Sequence, residues 1–464
     1  GNGKFIIKKV SDNSIVEEIL ANGANVTHSF NKIVINPTSN LEYSTAYYLA
    51  VENDAISDNY GNTYSGISDS NFNFTTMAAP QTYSLLITEV NSNATGNDFF
   101  EIFNYGTTDV NLSGWKWHDN GATFSTATAL GDVIIPAGKT LIVTVSTDAN
   151  AFRTTWNLDS NALIASVGGQ GLGSGDAVVV FNDKGAVATA FNYGISSITA
   201  SDGTVINPST RADNINVVSG HAGIAFGGTD AKASAIWDGV SVITPKYTYA
   251  QAGLIGSYSQ STSTNGTGSP SVVGKAPLLV TEVASSTTEG TDYFEIYNYG
   301  NTPINLSEMK WDDDSASFTE AVLFGNETIE AGKTIVILST ADTTKITTFK
   351  TLWSLGESDK VISNSGAGLG KGDSVVVFDS IGRVVTYINY GIVDKTATDN
   401  SLITKIGLGS TTNHTGKALG GTSDVDSIIW DGISKLTPNY ITSTSTNANT
   451  ATNGNFGTPS IFSK

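Results

Sequence analysis

Asp98-Phe-Phe-Glu-Ile-Phe-Asn-Tyr-Gly-Thr-Thr-Asp-Val-Asn-Leu-Ser-Gly-Trp-Lys-Trp117 returns later in the chain as Asp292-Tyr-Phe-Glu-Ile-Tyr-Asn-Tyr-Gly-Asn-Thr-Pro-Ile-Asn-Leu-Ser-Glu-Met-Lys-Trp311. A match of this length marks a duplicated domain, not a chance motif. Each copy reads as strand, turn, strand. Phe100, Ile102 and Asn104 alternate with Phe99, Glu101 and Phe103, the period of a sheet. Tyr105-Gly106 breaks the strand, and Val110, Leu112 and Trp115 resume an apolar pattern.

Working outward, the order of features is the same around both copies. Leu85-Leu-Ile-Thr-Glu-Val90 opens the first repeat and Leu278-Leu-Val-Thr-Glu-Val283 the second. After the duplicated stretch comes Ile135-Pro-Ala-Gly-Lys-Thr-Leu-Ile-Val, matched by Ile329-Glu-Ala-Gly-Lys-Thr-Ile-Val-Ile. A short helix is predicted next. Phe152 and Trp156 lie four apart, as do Phe349 and Trp353, so each pair shares a helical face. Ser146-Thr-Asp supplies capping residues ahead of the first. Gly171-Leu-Gly-Ser-Gly-Asp-Ala-Val-Val-Val-Phe and Gly368-Leu-Gly-Lys-Gly-Asp-Ser-Val-Val-Val-Phe follow, each leading to a strand that ends Asn-Tyr-Gly.

Each repeat carries an appendage, 195–258 and 392–457. These share Ile236-Trp-Asp-Gly-Val-Ser with Ile429-Trp-Asp-Gly-Ile-Ser, and His221-Ala-Gly with His414-Thr-Gly. Short strands or loops closing one end of each sandwich are expected there. Residues 77–84 read as a short linker. Residues 259–276, rich in Ser, Thr, Asn and Gly, read as a flexible one. Residues 441–459 repeat that composition, so a further repeat is expected beyond them. The domains expected are 1–76, then 84–258, the linker 259–276, and 277–457.

Composition narrows the class. The chain has 464 residues, 39% hydrophobic and 14% charged, with 48 glycines. Low charge with much Gly, Ser, Thr and Asn favours an all-β extracellular protein. Net charge is −19, which argues against nucleic acid or an anionic membrane as partner and is compatible with divalent cations. Without cysteine there are no disulfides or thiolate metal sites. No apolar run reaches the length of about 18 residues that a membrane span needs. The chain begins inside a strand pattern, so its natural start is expected upstream of Gly1.

Two resemblances follow from these residues. Leu41-Glu-Tyr-Ser-Thr-Ala-Tyr-Tyr-Leu-Ala-Val, Asp54-Ala-Ile-Ser-Asp-Asn-Tyr-Gly-Asn-Thr-Tyr-Ser-Gly-Ile and Phe72-Asn-Phe-Thr-Thr76 resemble the S-layer-type bacterial Ig-like domain, a β-sandwich of secreted bacterial surface proteins. Members of that family begin with strands before the one at Phe5, which this sequence lacks. The Thr-Glu-Val opening, Phe-Glu-Ile-(Phe/Tyr)-Asn, Asn-Leu-Ser, Ala-Gly-Lys and Gly-Asp-(Ala/Ser)-Val-Val-Val-Phe resemble the lamin-tail domain over 84–194 and 277–391. That resemblance implies Ig-like sandwiches, in bacteria often beside phosphoesterase or nuclease domains. The family defines no catalytic residues, and none are carried over.

Candidate chemistry is sparse. Asp312, Asp313 and Asp314 follow Trp311, and Asp119 follows Trp117 at the matching place. Asp54 and Asp58 with Asn59 and Asn62 make a second oxygen-rich loop. Hard oxygen donors in a loop suit Ca²⁺, although none shows EF-hand spacing and a solvated turn is the plainer reading. The glycine-rich loops at 168–176 and 366–373 precede strands, not helices, so they read as turns and not phosphate cradles. Nor do they recur every nine or so residues as a calcium β-roll requires. One matching histidine per repeat makes no triad. The Glu101/Glu295 and Asp98/Asp292 pairs could imitate glycosidase carboxylates, but ladder-edge charges are the simpler reading. The tryptophans could stack sugars, though strand and helix periodicity places them in cores.

The expected fold is all-β: three tandem Ig-like β-sandwiches with short helices in the two large repeats. The expected function is a non-enzymatic, structural or adhesive protein of the bacterial cell surface, a subunit of an S-layer or extracellular fibre. Its partners would be copies of itself and cell-surface glycans. The alternative is the accessory binding region of a secreted hydrolase. Missing opening strands would leave the first domain with an open edge. They belong either to the same polypeptide upstream or to the tail of a neighbouring subunit, whose large apolar residues are Phe456, Ile461 and Phe462.

Overall fold

The computed structural model describes residues 1–464 except 30, 44, 59, 77–81, 94–97, 170, 252–257, 260–265, 287–290, 366–367, 408–412, 447, 452–455 and 461–464. Asn59, most of the first linker, residues 260–265 of the second, parts of both glycine-rich loops, Ile461 and Phe462 therefore lie outside the described residues. The chain forms two compact units, Gly1–Thr82 and Tyr83–Lys464.

The first unit is built on an antiparallel sheet. Its spatial order is Ile15–Leu20, Lys4–Lys9, Ala46–Val51 and Asn73–Thr75. Alternation in Lys4–Lys9 buries Phe5 and Ile7 against Ile19, Tyr47 and Val51. Val26–Ser29 and Lys32–Ile35 form a separate hairpin.

The second unit holds both repeats. In the first, a seven-stranded sheet has the order Leu163–Ser166, Thr140–Thr144, Phe99–Asn104, Leu85–Asn91, Ala235–Trp237, Lys246–Tyr249 and Thr210–Arg211. A four-stranded sheet of Thr128–Ala129, Lys116–His118, Ala177–Phe181 and Val187–Asn192 contributes to the same core. Phe100, Ile102, Trp117, Val178, Val180 and Phe191 fill the space between them, the interdigitated interior of a sandwich. The second repeat repeats this, with a large sheet of six strands: Val361–Asn364, Thr334–Ser339, Tyr293–Asn298, Leu278–Ala284, Ile428–Trp430 and Tyr440–Thr442.

The other face of each large sheet is covered too. Helix Ala149–Thr155 starts at Asp148, whose carboxylate accepts the Asn150 and Ala151 N–H groups. Its Phe152, with the following Trp156, packs on Phe99 and Ile142. Helix Thr344–Trp353 does the same with Phe349 and Trp353 on Tyr293. The helical spacing legible in sequence thus marks the cover of the sheet.

Asn-Tyr-Gly occurs at the end of four strands, and each Asn makes the same bonds. Asn104 Nδ2 donates to the Thr108 and Ile135 carbonyls at 2.8 and 3.0 Å, while its Oδ1 accepts the Gly106 N–H at 3.0 Å. Asn192, Asn298 and Asn389 repeat this set. A buried amide with its donors and acceptor satisfied fixes the chain's exit from the sheet.

Two expectations are corrected. The appendages are part of the sandwich itself: Ala235–Trp237 pairs with Leu85–Asn91 and extends the large sheet, Ile428–Trp430 does so in the second repeat, and Ala222, Ala225 and Phe226 of the first appendage enter the core. The opening strand had a free edge with unpaired backbone groups, and these strands satisfy it. The stretch 266–276 does not behave as a flexible linker, because its backbone is bonded into the first repeat, as described next.

Candidate functional site

Glu89 and Glu101 face each other across the pair formed by Leu85–Asn91 and Phe99–Asn104. Glu282 and Glu295 do the same in the second repeat. All four are buried, in the middle of a sheet. This corrects the reading of Glu101 and Glu295 as ladder-edge charges: the alternation that put them opposite Phe100 and Phe294 was right, but the face they point to is covered. In each repeat a register shift at the opening strand accompanies the pair, between Ile87 and Glu89 and between Val280 and Glu282. The residue in the shift helps: Thr88 Oγ1 donates to Glu101 and Thr281 Oγ1 to Glu295, both at 2.7 Å.

The cover is a returning piece of chain. Ser269 donates its N–H to both Glu89 oxygens at 2.9 and 3.0 Å and its hydroxyl at 3.0 Å, and the Ser271 N–H donates to Glu101. In the second repeat Thr458 donates its N–H to both Glu282 oxygens at 3.0 Å and its hydroxyl at 3.2 Å, and the Ser460 N–H donates to Glu295. Tyr293 Oη adds a bond to Glu282 at 2.7 Å. The two segments are Gly268-Ser-Pro-Ser271 and Gly457-Thr-Pro-Ser460. Their chemistry fits the seat. The proline between the two donating residues has no N–H to leave unsatisfied. The last serine takes a left-handed backbone, φ 71° at Ser271 and 63° at Ser460, which bends the chain directly after the N–H that reaches the second carboxylate. The first glycine has no room for a side chain. A Cβ on Gly268 would stand 2.3 Å from Glu89 Oε1, and one on Gly457 2.4 Å from Glu282 Oε1.

Burial sets the electrostatics. It pushes Glu89 up to about 8, helped by the neighbouring Glu101 charge, and Glu101 up to about 7. Glu295 rises to about 8 through burial and the Glu282 charge, and Glu282 to about 6. Each pair therefore takes up protons near neutral pH as a coupled unit. The donors of the returning segment stabilise the ionised form and oppose burial. In each repeat the two carboxylates hold the returning segment to the sheet.

A second feature joins the repeats. Val240, in the loop after Trp237, is part of the second repeat's core cluster. Ser241 Oγ accepts from Thr244 Oγ1 at 3.2 Å and donates to Glu308 at 2.5 Å. Arg383 lies over Trp237 and Phe103, 5.0 and 5.5 Å from their ring centroids, pairs with buried Asp379 and donates to the Gly274 carbonyl. An arginine that stacks, pairs and donates at once is held in a single geometry.

Most of the sequence-selected acidic residues have partners of their own. Asp58 is exposed and accepts from the Tyr60 and Asn62 N–H groups and Asn62 Nδ2. Asp54 has a left-handed backbone in a turn. Asp119 accepts from His118 and the Gly121 N–H, Asp312 from Ser315 and Ser317, and Asp314 pairs with Lys395. Asp313 is half-buried and raised, mainly by burial. Among the described residues no three His, Cys, Asp or Glu side chains gather closely enough to hold an ion. His221 and His414 stand at the starts of short helices, their Nδ1 atoms 3.2 and 3.1 Å from the Ser92 and Ser285 hydroxyls. Those hydroxyls also accept the Ala222 and Thr415 N–H groups, which makes each serine a helix cap. Trp115, Trp117, Trp156 and Trp237 are buried.

Sequence reasoning missed Glu89 and Glu282 as partners, and it missed the Gly-(Ser/Thr)-Pro-Ser segments as ligands. The available signal was the recurrence of that tetrapeptide after each repeat.

Comparison with known families agrees with the fold. The model of the bacterial Ig-like domain matches residues 4–76, and that of the lamin tail domain matches 78–194 and 273–391. No curated protein matches the chain. Such domains are associated with bacterial surface or binding proteins. With just over half of its length matched by the lamin tail domain model, the chain belongs to the lamin tail domain family and carries a bacterial Ig-like domain ahead of its two repeats.

Proposed function

We propose that the chain is a structural protein of the bacterial cell surface, a subunit of an extracellular fibre or S-layer. The observation that supports this most is the joint between the repeats. Val240, Trp237, Phe103 and Arg383 fuse the two sandwiches into one compact unit, where domains joined by a flexible tether would move independently. The returning Gly-(Ser/Thr)-Pro-Ser segments bond each repeat to the chain that leaves it. A rigid connection of this kind transmits force and fixes spacing, which suits a load-bearing or lattice-forming subunit. Net charge of −19 keeps free subunits soluble and makes their association sensitive to salt.

Electron microscopy of the purified chain, at rising concentration and with added salt, tests the reading. Filaments or sheets with a regular repeat are expected. A chain that stays monomeric under all these conditions overturns it.

A further inference from the structure

The two repeats differ in chemistry at one loop, the turn that follows Lys116–His118 in the first and Lys310–Asp312 in the second. The backbone of the turn is kept. Ala122 and Ala316 are both left-handed, with φ 43° and 49°. Lys116 lies over the Phe124 ring at 4.5 Å, and Lys310 over the Phe318 ring at 4.4 Å. At three places around one ring the side chains differ: His118, Gly121 and Thr126 stand where the second repeat has Asp312, Ser315 and Glu320.

In the first repeat these residues form a relay with Asp119. His118, paired beside Val179 at the end of its strand, is 6% exposed. Its Nδ1 lies 2.7 Å from Asp119 Oδ1, and its Nε2 lies 3.1 Å from Thr126 Oγ1. Gly121 makes room for the ring, since a Cβ there would stand 2.5 Å from His118 Cε1. The Gly121 N–H donates to Asp119 Oδ1 at 3.0 Å and holds the carboxylate from a second side. Thr126 is exposed. In the second repeat no ring fills this place. Ser315 fits there, and its hydroxyl and the Ser317 N–H donate to Asp312.

A carboxylate at Nδ1 holds the ring proton there, which leaves the Nε2 lone pair directed at the Thr126 hydroxyl. A nucleophile bonded to a base, with the base bonded to an orienting carboxylate, is the arrangement that activates a hydroxyl. The rival acceptor for Thr126 Oγ1 is the Thr123 carbonyl, farther away at 3.3 Å. The second repeat keeps the same turn without a histidine, so the relay is not what holds the turn.

We propose that Thr126 is an acyl-accepting nucleophile toward small esters, with His118 as its general base and Asp119 as the positioning residue. Thr126 Oγ1 attacks the ester carbonyl carbon while His118 Nε2 takes the hydroxyl proton. The new bond joins Oγ1 to that carbon. The bond from the carbon to the leaving oxygen then breaks, and the leaving alcohol takes the proton back from Nε2. Asp119 stabilises the imidazolium between the two transfers. The products are one alcohol and a chain acylated at Thr126. This site is independent of the reading of the chain as an assembling subunit.

Treatment of the full chain with p-nitrophenyl acetate tests the proposal, with peptide mass mapping to locate the acetyl groups and circular dichroism to verify folding. The wild type is expected to take acetyl at Thr126 ahead of its other threonines. Thr126→Val removes the hydroxyl and is expected to lose that adduct, whereas Thr126→Ser is expected to keep one at the same position. His118→Gln is expected to slow acetylation of Thr126 by about a hundredfold or more, and Asp119→Asn, which disturbs the tautomer, to slow it as well. Surface lysines react without the relay, so their acetylation is expected to be equal in all these proteins. An absent Thr126 adduct in the wild type, or one that forms as fast in His118→Gln or Asp119→Asn, overturns the proposal. If His118→Gln does not fold, Asp119→Asn decides by the same readout.

Discussion

Stability of the lamin-tail repeats is expected to fall as pH rises from about 5 to about 8, and Glu89→Gln is expected to flatten that fall. Glu89 and Glu101 stand raised from 4.5 to about 8 and about 7. Between the unfolded value and these, the folded chain binds more protons than the unfolded one. Raising pH through this window therefore removes stability, and acidifying toward pH 5 restores it. Each unit of pKa difference is worth about 1.4 kcal/mol. From pH 5 upward the two values span about 3 and about 2 pH units, an upper bound of about 7 kcal/mol for the first repeat that coupling between the two carboxylates reduces. Gln keeps the shape of a protonated carboxyl and removes one titrating group, so about half of the first repeat's slope disappears. Urea unfolding of both proteins at four pH values between 5 and 8, followed by tryptophan fluorescence, reads the effect. A wild type that grows more stable from pH 5 to 8, or a Glu89→Gln slope equal to that of the wild type, would refute the reasoning.

Gly268→Ala places a methyl group 2.3 Å from Glu89 Oε1, so the returning segment is expected to leave its seat; amide exchange at Ser269 and Ser271 should rise by orders of magnitude, and unchanged protection would count against the seat. Arg383→Ala leaves buried Asp379 without its partner and is expected to cost about 3 kcal/mol, with a red shift of Trp237 emission; a neutral effect on both would remove Arg383 from the joint. Asn104→Asp replaces two donors with lone pairs facing the Thr108 and Ile135 carbonyls and is expected to destabilise by about 2–3 kcal/mol in chemical denaturation. Calcium is expected to raise the melting midpoint relative to chelator, because 43 acidic against 24 basic residues repel one another in the compact state; an unchanged midpoint takes calcium out of the account.

The sequence alone determined the duplication, the all-β class, the helix over Phe152 and Trp156 and the family of each domain. These are local or periodic properties: alternation along Phe99–Asn104, four-residue spacing in a helix, and matched motifs at a fixed offset. The roles of the Asn-Tyr-Gly strand ends, of which the chain has four, were also within reach, since a strand that stops at glycine needs its last amides satisfied. What the sequence did not carry was the environment of each face. Period-two alternation assigned Glu101 to the side opposite Phe100, and a charged residue on an outer face reads as solvated. Only the tertiary structure decided that this face is covered, because the cover arrives from Ser269 and Ser271, far along the chain, and from an opening strand whose Glu89 lies opposite. The same holds for Val240 and Ile433. They are equivalent apolar residues in equivalent loops, and the sequence gives no sign that Val240 is 7% exposed, buried in the second repeat's core, while Ile433 is 81% exposed.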